Sequence, residues 1–272
     1  MKKMPIRLLI SDVDGTLVTP EKMLTLATLD AVRELRAHDI LFTITSSRPP
    51  VGLRMLIEPL GIALPMGPFN GSSIVNPDLT VDEQHTIPKA VAMESLALFA
   101  HHGIDAWIFT NRQWIIHRDD GQYVPRERQT IRADPLIVTC DEPYIGEACK
   151  VVGVSADFSL LAECEAELQN KLGTEAHVAR SQAYYLDVTP PRYDKGTFVT
   201  AMSQRLGIPT DAIATIGDMS NDLPMFRSAG MSFAMGNASE SVKAQATHVT
   251  ASNIDDGFAK AVATVLKSNG EA

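Results

Sequence analysis

The chain has 272 residues, with 33 acidic against 24 basic side chains and a formal net charge of −9, which argues against a generic nucleic-acid or anionic-membrane surface while leaving room for a local phosphate pocket. Its length suits two compact domains with a sizeable core, and 45% hydrophobic and 21% charged residues are ordinary for a globular protein. No apolar run approaches the ~20 residues of a membrane helix.

The opening Met1-Lys2-Lys3-Met4-Pro5 has the charge of a signal-peptide start, but the apolar segment behind it is too short and meets Asp12 at once. That segment, Leu8-Leu9-Ile10-Ser11, reads as a buried strand. It ends in Asp12-Val13-Asp14-Gly15-Thr16, two carboxylates one residue apart and a glycine that permits a sharp turn. Thr25 is placed to cap a helix with apolar positions at Leu26, Leu29, Val32 and Leu35. Residues 40–45 form a second expected strand, ending in Ser46-Ser47-Arg48-Pro49-Pro50. A helix over 51–60 follows, with Gly61 as its cap. Strand, helix, strand, helix is the pattern of a parallel α/β sheet. Weaker strands are expected around 62–64 and 73–75, with a tight Asn70-Gly71 turn between them.

From residue 83 to 188 the pattern changes. Pro88 opens a helix that stops at Gly103, and 105–109 and 114–117 read as paired strands. A patch rich in proline and charge covers 123–135, followed by a strand at 150–155, a helix over 158–172, and strands near 176–178 and 184–188. This reads as an inserted α+β module with a largely antiparallel sheet. Its arginines Arg112, Arg126, Arg128 and Arg132 are able to read a charged substrate, although a solvated face is the commoner outcome. Pro190-Pro191 leads back to a helix over 195–206, a strand over 212–216, and Gly217-Asp218-Met219-Ser220-Asn221-Asp222. A helix, a strand at 231–234, a further helix, a short strand at 248–249 and a last helix over 256–266 complete the chain. The expected fold is a doubly wound parallel α/β core, 1–82 plus 189–272, with an inserted α+β cap over 83–188.

Parallel strands place their C-terminal tips at one edge, where α/β proteins bind ligands. Asp12/Asp14, Ser46/Ser47 and Asp218/Asn221/Asp222 should therefore converge, with Lys195 at a helix start nearby. These residue types suit phosphoryl transfer. Carboxylates hold a hard cation such as Mg²⁺, and an aspartate can serve as nucleophile. Metal and lysine charge offset the repulsion between anionic nucleophile and phosphate. Taken singly, each residue has a plainer reading. Asp-x-Asp alone is commonly a solvated loop. Asn221 and Asp222 suit a helix start, Lys195 a surface helix, Ser46 an ordinary loop, and Arg48 an ion pair with the following helix.

In combination the chain resembles the haloacid dehalogenase superfamily, and within it the Cof-type sugar-phosphate phosphatases with a C2-type cap. Asp12-Val13-Asp14-Gly15-Thr16 matches the first motif, Ser46 falls at the second-motif hydroxyl, and Lys195 in Asp194-Lys195-Gly196 matches the third. The 217–222 segment matches the fourth, and Ala234-Met235-Gly236-Asn237-Ala238 is similar to a recurrent turn of the family. The chain departs at Ser46-Ser47-Arg48, where the family usually has Thr-Gly-Arg. The resemblance implies that Asp12 is the nucleophile and Asp14 the general acid/base. Mg²⁺ would be bound by Asp12, the Asp14 carbonyl and Asp218, with Asp222 behind them, through water or paired with Lys195. Ser46, Ser47, Lys195 and Asn221 would hold phosphate, and Arg48 the phosphate or the substrate body. The implied activity is Mg²⁺-dependent hydrolysis of small phosphate esters through an aspartyl-phosphate. A phosphotransferase or phosphomutase is the related alternative, and a non-catalytic phosphometabolite-binding protein the distant one. Binding alone needs no nucleophile and no general acid. Missing membrane helices exclude an aspartyl-phosphate ion pump. The expected partner is a small phosphorylated metabolite, with no nucleic acid and no membrane. Cys140, Cys149 and Cys164 suggest neither a disulfide framework nor a metal site, which favours a cytoplasmic protein.

Overall fold

The computed structural model describes residues 4–270, so the Met1-Lys2-Lys3 start lies outside them. In chain order the first elements are β1 (Leu8–Ser11), α1 (Leu26–Ala37), β2 (Leu41–Ile44), α2 (Arg54–Leu60), β3 (Ser73–Val75) and β4 (Val81–Gln84). The middle third holds α3 (Lys89–His101), β5 (Asp105–Phe109), β6 (Trp114–Ile116), α4 (Val124–Ile131), β7 (Leu136–Ile137) and α5 (Glu142–Ile145). It continues with β8 (Lys150–Val154), α6 (Phe158–Leu172), β9 (His177–Gln182) and β10 (Tyr185–Thr189). The last third is α7 (Lys195–Leu206), β11 (Ile213–Gly217), α8 (Leu223–Arg227), β12 (Met231–Ala234), α9 (Glu240–Lys243), β13 (His248–Val249) and α10 (Gly257–Gly270).

Five strands form one parallel sheet in the order β13-β12-β11-β1-β2. Side chains alternate across its strands. Leu9 packs on one face with Val32 and Leu35 of α1 and Val262 of α10, while Leu8 and Ile10 pack on the other with Phe198 and Val199 of α7. Helices thus cover both faces, as a parallel sheet requires. Six strands form a second sheet, β7-β6-β5-β8-β10-β9, antiparallel except for β6 with β7. Its β5 and β8 pack on one side with α3 and α6, burying Phe99, Val151, Leu161 and Leu168. Its opposite side buries Trp107, Trp114 and Val152 with Val124 and Ile131 of α4, and with Phe69 from the first third of the chain.

Local signals account for most boundaries. Thr25 accepts from Thr28 N at 3.1 Å at the start of α1, and Asp194 and Thr197 form a capping box at the start of α7. Gly61 and Gly207 end α2 and α7 in the left-handed conformation. One expectation needs correction. Residues 62–64 form no strand; only isolated bridges at Met66 and Gly67 touch Val75 and Thr45, because Pro65 lacks the N–H that would extend a ladder. The charged patch at 123–135 contains α4, with Pro125 in its first turn and Val124, Glu127 and Ile131 buried along one side. Strands β4 and β7 and helix α5 were not expected.

Candidate active site

Parallel pairing of β2, β1 and β11 brings their C-terminal ends side by side. Asp12 follows β1 directly, and its N–H donates to Ile216 O of β11 at 2.9 Å. Lys195, the first residue of α7, is buried, and its ammonium donates to Asp12 Oδ1 at 2.5 Å and to Asp222 Oδ1 at 2.6 Å. The other oxygen of Asp222 accepts from Asp218 N at 2.8 Å and Met219 N at 2.9 Å. Asp222 thereby folds the loop after β11 back on itself. Gly217 makes that fold possible, since a Cβ there would lie 2.3 Å from Asp222 Cγ. Both oxygens of Asp222 are engaged, so it braces the site.

Asp218 accepts from Thr16 Oγ1 at 3.3 Å and from Asn237 Nδ2 at 3.2 Å. Asn237 also donates to Gly15 O at 3.0 Å, tying the turn after β12 to the loop after β1. Gly15 has φ +80°, and a Cβ there would sit 2.3 Å from Asp218 Oδ2. Oxygens of Asp12, Asp218 and Asp222 lie within 4.8 Å of one another. Burial pushes Asp12 and Asp218 above the ordinary carboxylate range, and the charge of Asp222 adds to both. Asp12 and Asp222 hold the Lys195 ammonium protonated despite its burial. An all-oxygen, negatively crowded cluster under a glycine cradle fits a hard divalent cation.

Asp14 points elsewhere. Arg48 Nε and Nη2 donate to its two oxygens at 2.7 and 2.8 Å, and Lys22 Nζ donates to Oδ1 at 2.6 Å. Burial alone would raise this carboxyl, but Arg48 and then Lys22 hold it well below the usual range. Ser46 is buried, and its Oγ accepts from Arg48 N at 3.2 Å. The Ser47 carbonyl accepts from Lys150 Nζ of β8 at 3.1 Å. Asn221 Nδ2 donates to Asn70 Oδ1 at 3.0 Å, while Asn221 Oδ1 is buried without a hydrogen bond. Asn70 is itself buried with φ 58°, set against Ser46 by its N–H donating to Ser46 O at 2.8 Å.

The sequence-picked residues therefore fall into two neighbouring groups. Asp12, Lys195, Asp218 and Asp222 form one, and Asp14, Arg48, Ser46 and Ser47 the other. Asn221 stands beside Asn70. Sequence reasoning passed over Lys22, Glu127 and Lys150, read Asn70 only as part of a turn, and gave no role to Asn237. Only Asn70 and Asn237 carried a signal, each beside a glycine in a turn. Lys150 opens β8 with no local mark.

A family model described as haloacid dehalogenase-like hydrolase matches residues 9–262. An Escherichia coli HMP-PP phosphatase is 26% identical over 250 residues, 89% of this chain and 89% of that protein. A solved haloacid dehalogenase-like hydrolase from Bacteroides thetaiotaomicron is 25% identical, with a TM-score of 0.86 over 96% of this chain and 99% of that one. A structure described as a subclass IIB sugar phosphatase is 23% identical, with a TM-score of 0.84 over 95% and 98%.

Proposed function

The chain belongs to the haloacid dehalogenase-like hydrolase family, and from that premise we propose that it is a Mg²⁺-dependent phosphatase of small phosphate esters, working through an aspartyl-phosphate on Asp12. One observation carries the reading: a buried ammonium, Lys195, joins Asp12 to Asp222 at the tips of paired strands, with Asp218 beside them. A structural ion pair needs one carboxylate, whereas this cluster gathers three around a single lysine.

Asp12 attacks phosphorus, and the P–O bond to the leaving group breaks as Asp14 protonates the departing oxygen. Asp14 then takes a proton from water, which attacks the aspartyl-phosphate and frees phosphate and Asp12. Arg48 and Lys22 keep Asp14 ionised in the present arrangement. Its turn as an acid begins when the ester draws those cations to itself and the carboxylate takes up a proton from solvent, the proton it then gives to the departing oxygen. Lys195 orients Asp12 and offsets charge on the transferring group, and Ser46 and Asn221 supply polar contacts to it. Mg²⁺, held by Asp12, Asp218 and the Asp14 carbonyl, would supply the remaining positive charge. The HMP-PP phosphatase relative supports a small phosphorylated metabolite as substrate.

The test is phosphate release from sugar phosphates, nucleotides, pyridoxal phosphate and phosphoglycolate, with Mg²⁺ or EDTA, beside Asp12→Asn. Mg²⁺-dependent release that vanishes in the variant supports the reading. Release at the wild-type rate from Asp12→Asn refutes it. Release without an added acceptor separates hydrolysis from transfer to a sugar.

A further inference from the structure

Beside the carboxylates lies a cleft between the loops after β1 and β2 and the second sheet. Asp14, Ser47 and Arg48 line one side, and Arg126 and Glu127 of α4 and Lys150 of β8 line the other. With Lys22, the cleft holds four basic side chains against two carboxylates. This local excess opposes a chain whose net charge is −9. Gathering like charges costs Coulomb energy, and an anionic ligand offsets it.

The cations are not equally available. Lys22 and Arg48 are both engaged by Asp14. Lys150 lines the cleft and is 4% exposed; its ammonium donates to Ser47 O, lies 3.5 Å from Asp187 Oδ2 and sits 4.9 Å from the centre of the Phe109 ring. Arg126 has no carboxylate within ion-pair distance among the described residues. Its guanidinium instead lies 4.9 Å above the Tyr184 ring, which stacks on Tyr123 at 4.5 Å. That aromatic support holds the guanidinium in place and leaves its N–H fork for anionic oxygens. Both cations sit across the cleft from Asp14, the proposed proton donor to the leaving group. They therefore face what the ester carries beyond its reacting phosphate.

We propose that the preferred substrate bears a second anionic group, a carboxylate or a further phosphate, on its leaving group, and that Arg126 and Lys150 bind it. The inference rests on the phosphatase reading of the same site and specifies its substrate class.

The experiment is calorimetric titration of the Asp12→Asn protein, in Mg²⁺, with 6-phosphogluconate and with glucose 6-phosphate. The two sugars share the phosphate position, and only the first carries a carboxylate. The expected result is binding of 6-phosphogluconate at least about tenfold tighter, with the gap falling to about threefold or less when Arg126→Gln is added. Arg126 is exposed, so its replacement keeps the fold, which a melting curve verifies. Lys150→Gln is the second variant. Equal affinities, no binding of either sugar, or a gap untouched by both variants overturns the inference. Phosphate release by the wild-type enzyme is read separately. Release without a binding gap sinks only this inference, whereas a gap without release from any ester sinks the phosphatase reading and, with it, the substrate assignment, leaving only an anion-binding cleft.

Discussion

The Arg48 guanidinium grips both oxygens of Asp14 and places its remaining nitrogen, Nη1, 3.0 Å from Gly52 O. One side chain thus locks the loop after β2 to the carboxylate after β1. Lysine keeps the charge but not the fork. Arg48→Lys should therefore lower kcat/KM by roughly 10- to 100-fold, the worth of one charge-assisted hydrogen bond. Steady-state kinetics on any substrate the enzyme hydrolyses reads this directly, and a loss below about threefold would show the fork to be dispensable.

Lys195 is the only cation in direct contact with Asp12 and Asp222 among the described residues. Lys195→Met removes it and leaves two buried carboxylates facing each other. Breaking a buried pair from one side costs about 3–5 kcal/mol. Urea unfolding in EDTA should show a loss of that size together with loss of turnover. An unchanged midpoint would mean that the carboxylates simply take up protons.

Gly15 has φ +80° and leaves no room for a Cβ over Asp218. Gly15→Ala should cost about 1–3 kcal/mol from backbone strain alone, and should also push Asp218 out of place. Mg²⁺ at a hundredfold excess over its Kd adds about 2.7 kcal/mol to a protein that binds it only when folded. Wild-type protein should melt higher in Mg²⁺ than in EDTA, and Gly15→Ala should lose most of that increment. Equal increments in both would place the cation away from Asp218.

The three thiols differ sharply in environment. Cys140 is exposed, while Cys149 and Cys164 are buried. Burial pushes the Cys149 thiol up to about 12 and also raises Cys164. The reactive species is the thiolate, so neither buried cysteine should react near about pH 8 in the folded protein. An aromatic disulfide reagent should titrate one thiol quickly and the other two only in denaturant.

Much of the site was legible because its residues cluster in short motifs at strand ends. Asp12, Ser46 and Asp218 could be read as neighbours once β1, β2 and β11 were recognised as parallel strands. What was not legible depends on chain segments far apart in sequence. Lys150 reaches Ser47 across 103 positions, and Asn237 reaches Gly15 across 222. Neither contact leaves a periodic or compositional trace. Helix α4 was hidden for another reason. Its exposed positions are strongly polar, and the three residues it buries, Val124, Glu127 and Ile131, include a glutamate. A hydrophobic pattern cannot announce a buried acid.

That glutamate makes the last expectation. Glu127 is buried, and its Oε2 accepts from Tyr185 Oη at 3.1 Å. Burial raises its carboxyl above the ordinary range, against the opposing pull of Lys150. A carboxyl raised in the folded state binds its proton more tightly there than in the unfolded chain. Its contribution to stability is therefore full below the unfolded value and is lost as pH rises through the folded one. Glu127→Gln keeps an acceptor for Tyr185 and cannot ionise. The variant should therefore gain on the wild type as pH rises through and above the ordinary carboxylate range. Denaturant unfolding of both proteins across that range gives the difference directly. A flat difference would mean that Glu127 ionises as readily in the fold as out of it, with Lys150 and Arg48 fully offsetting the cost of burial.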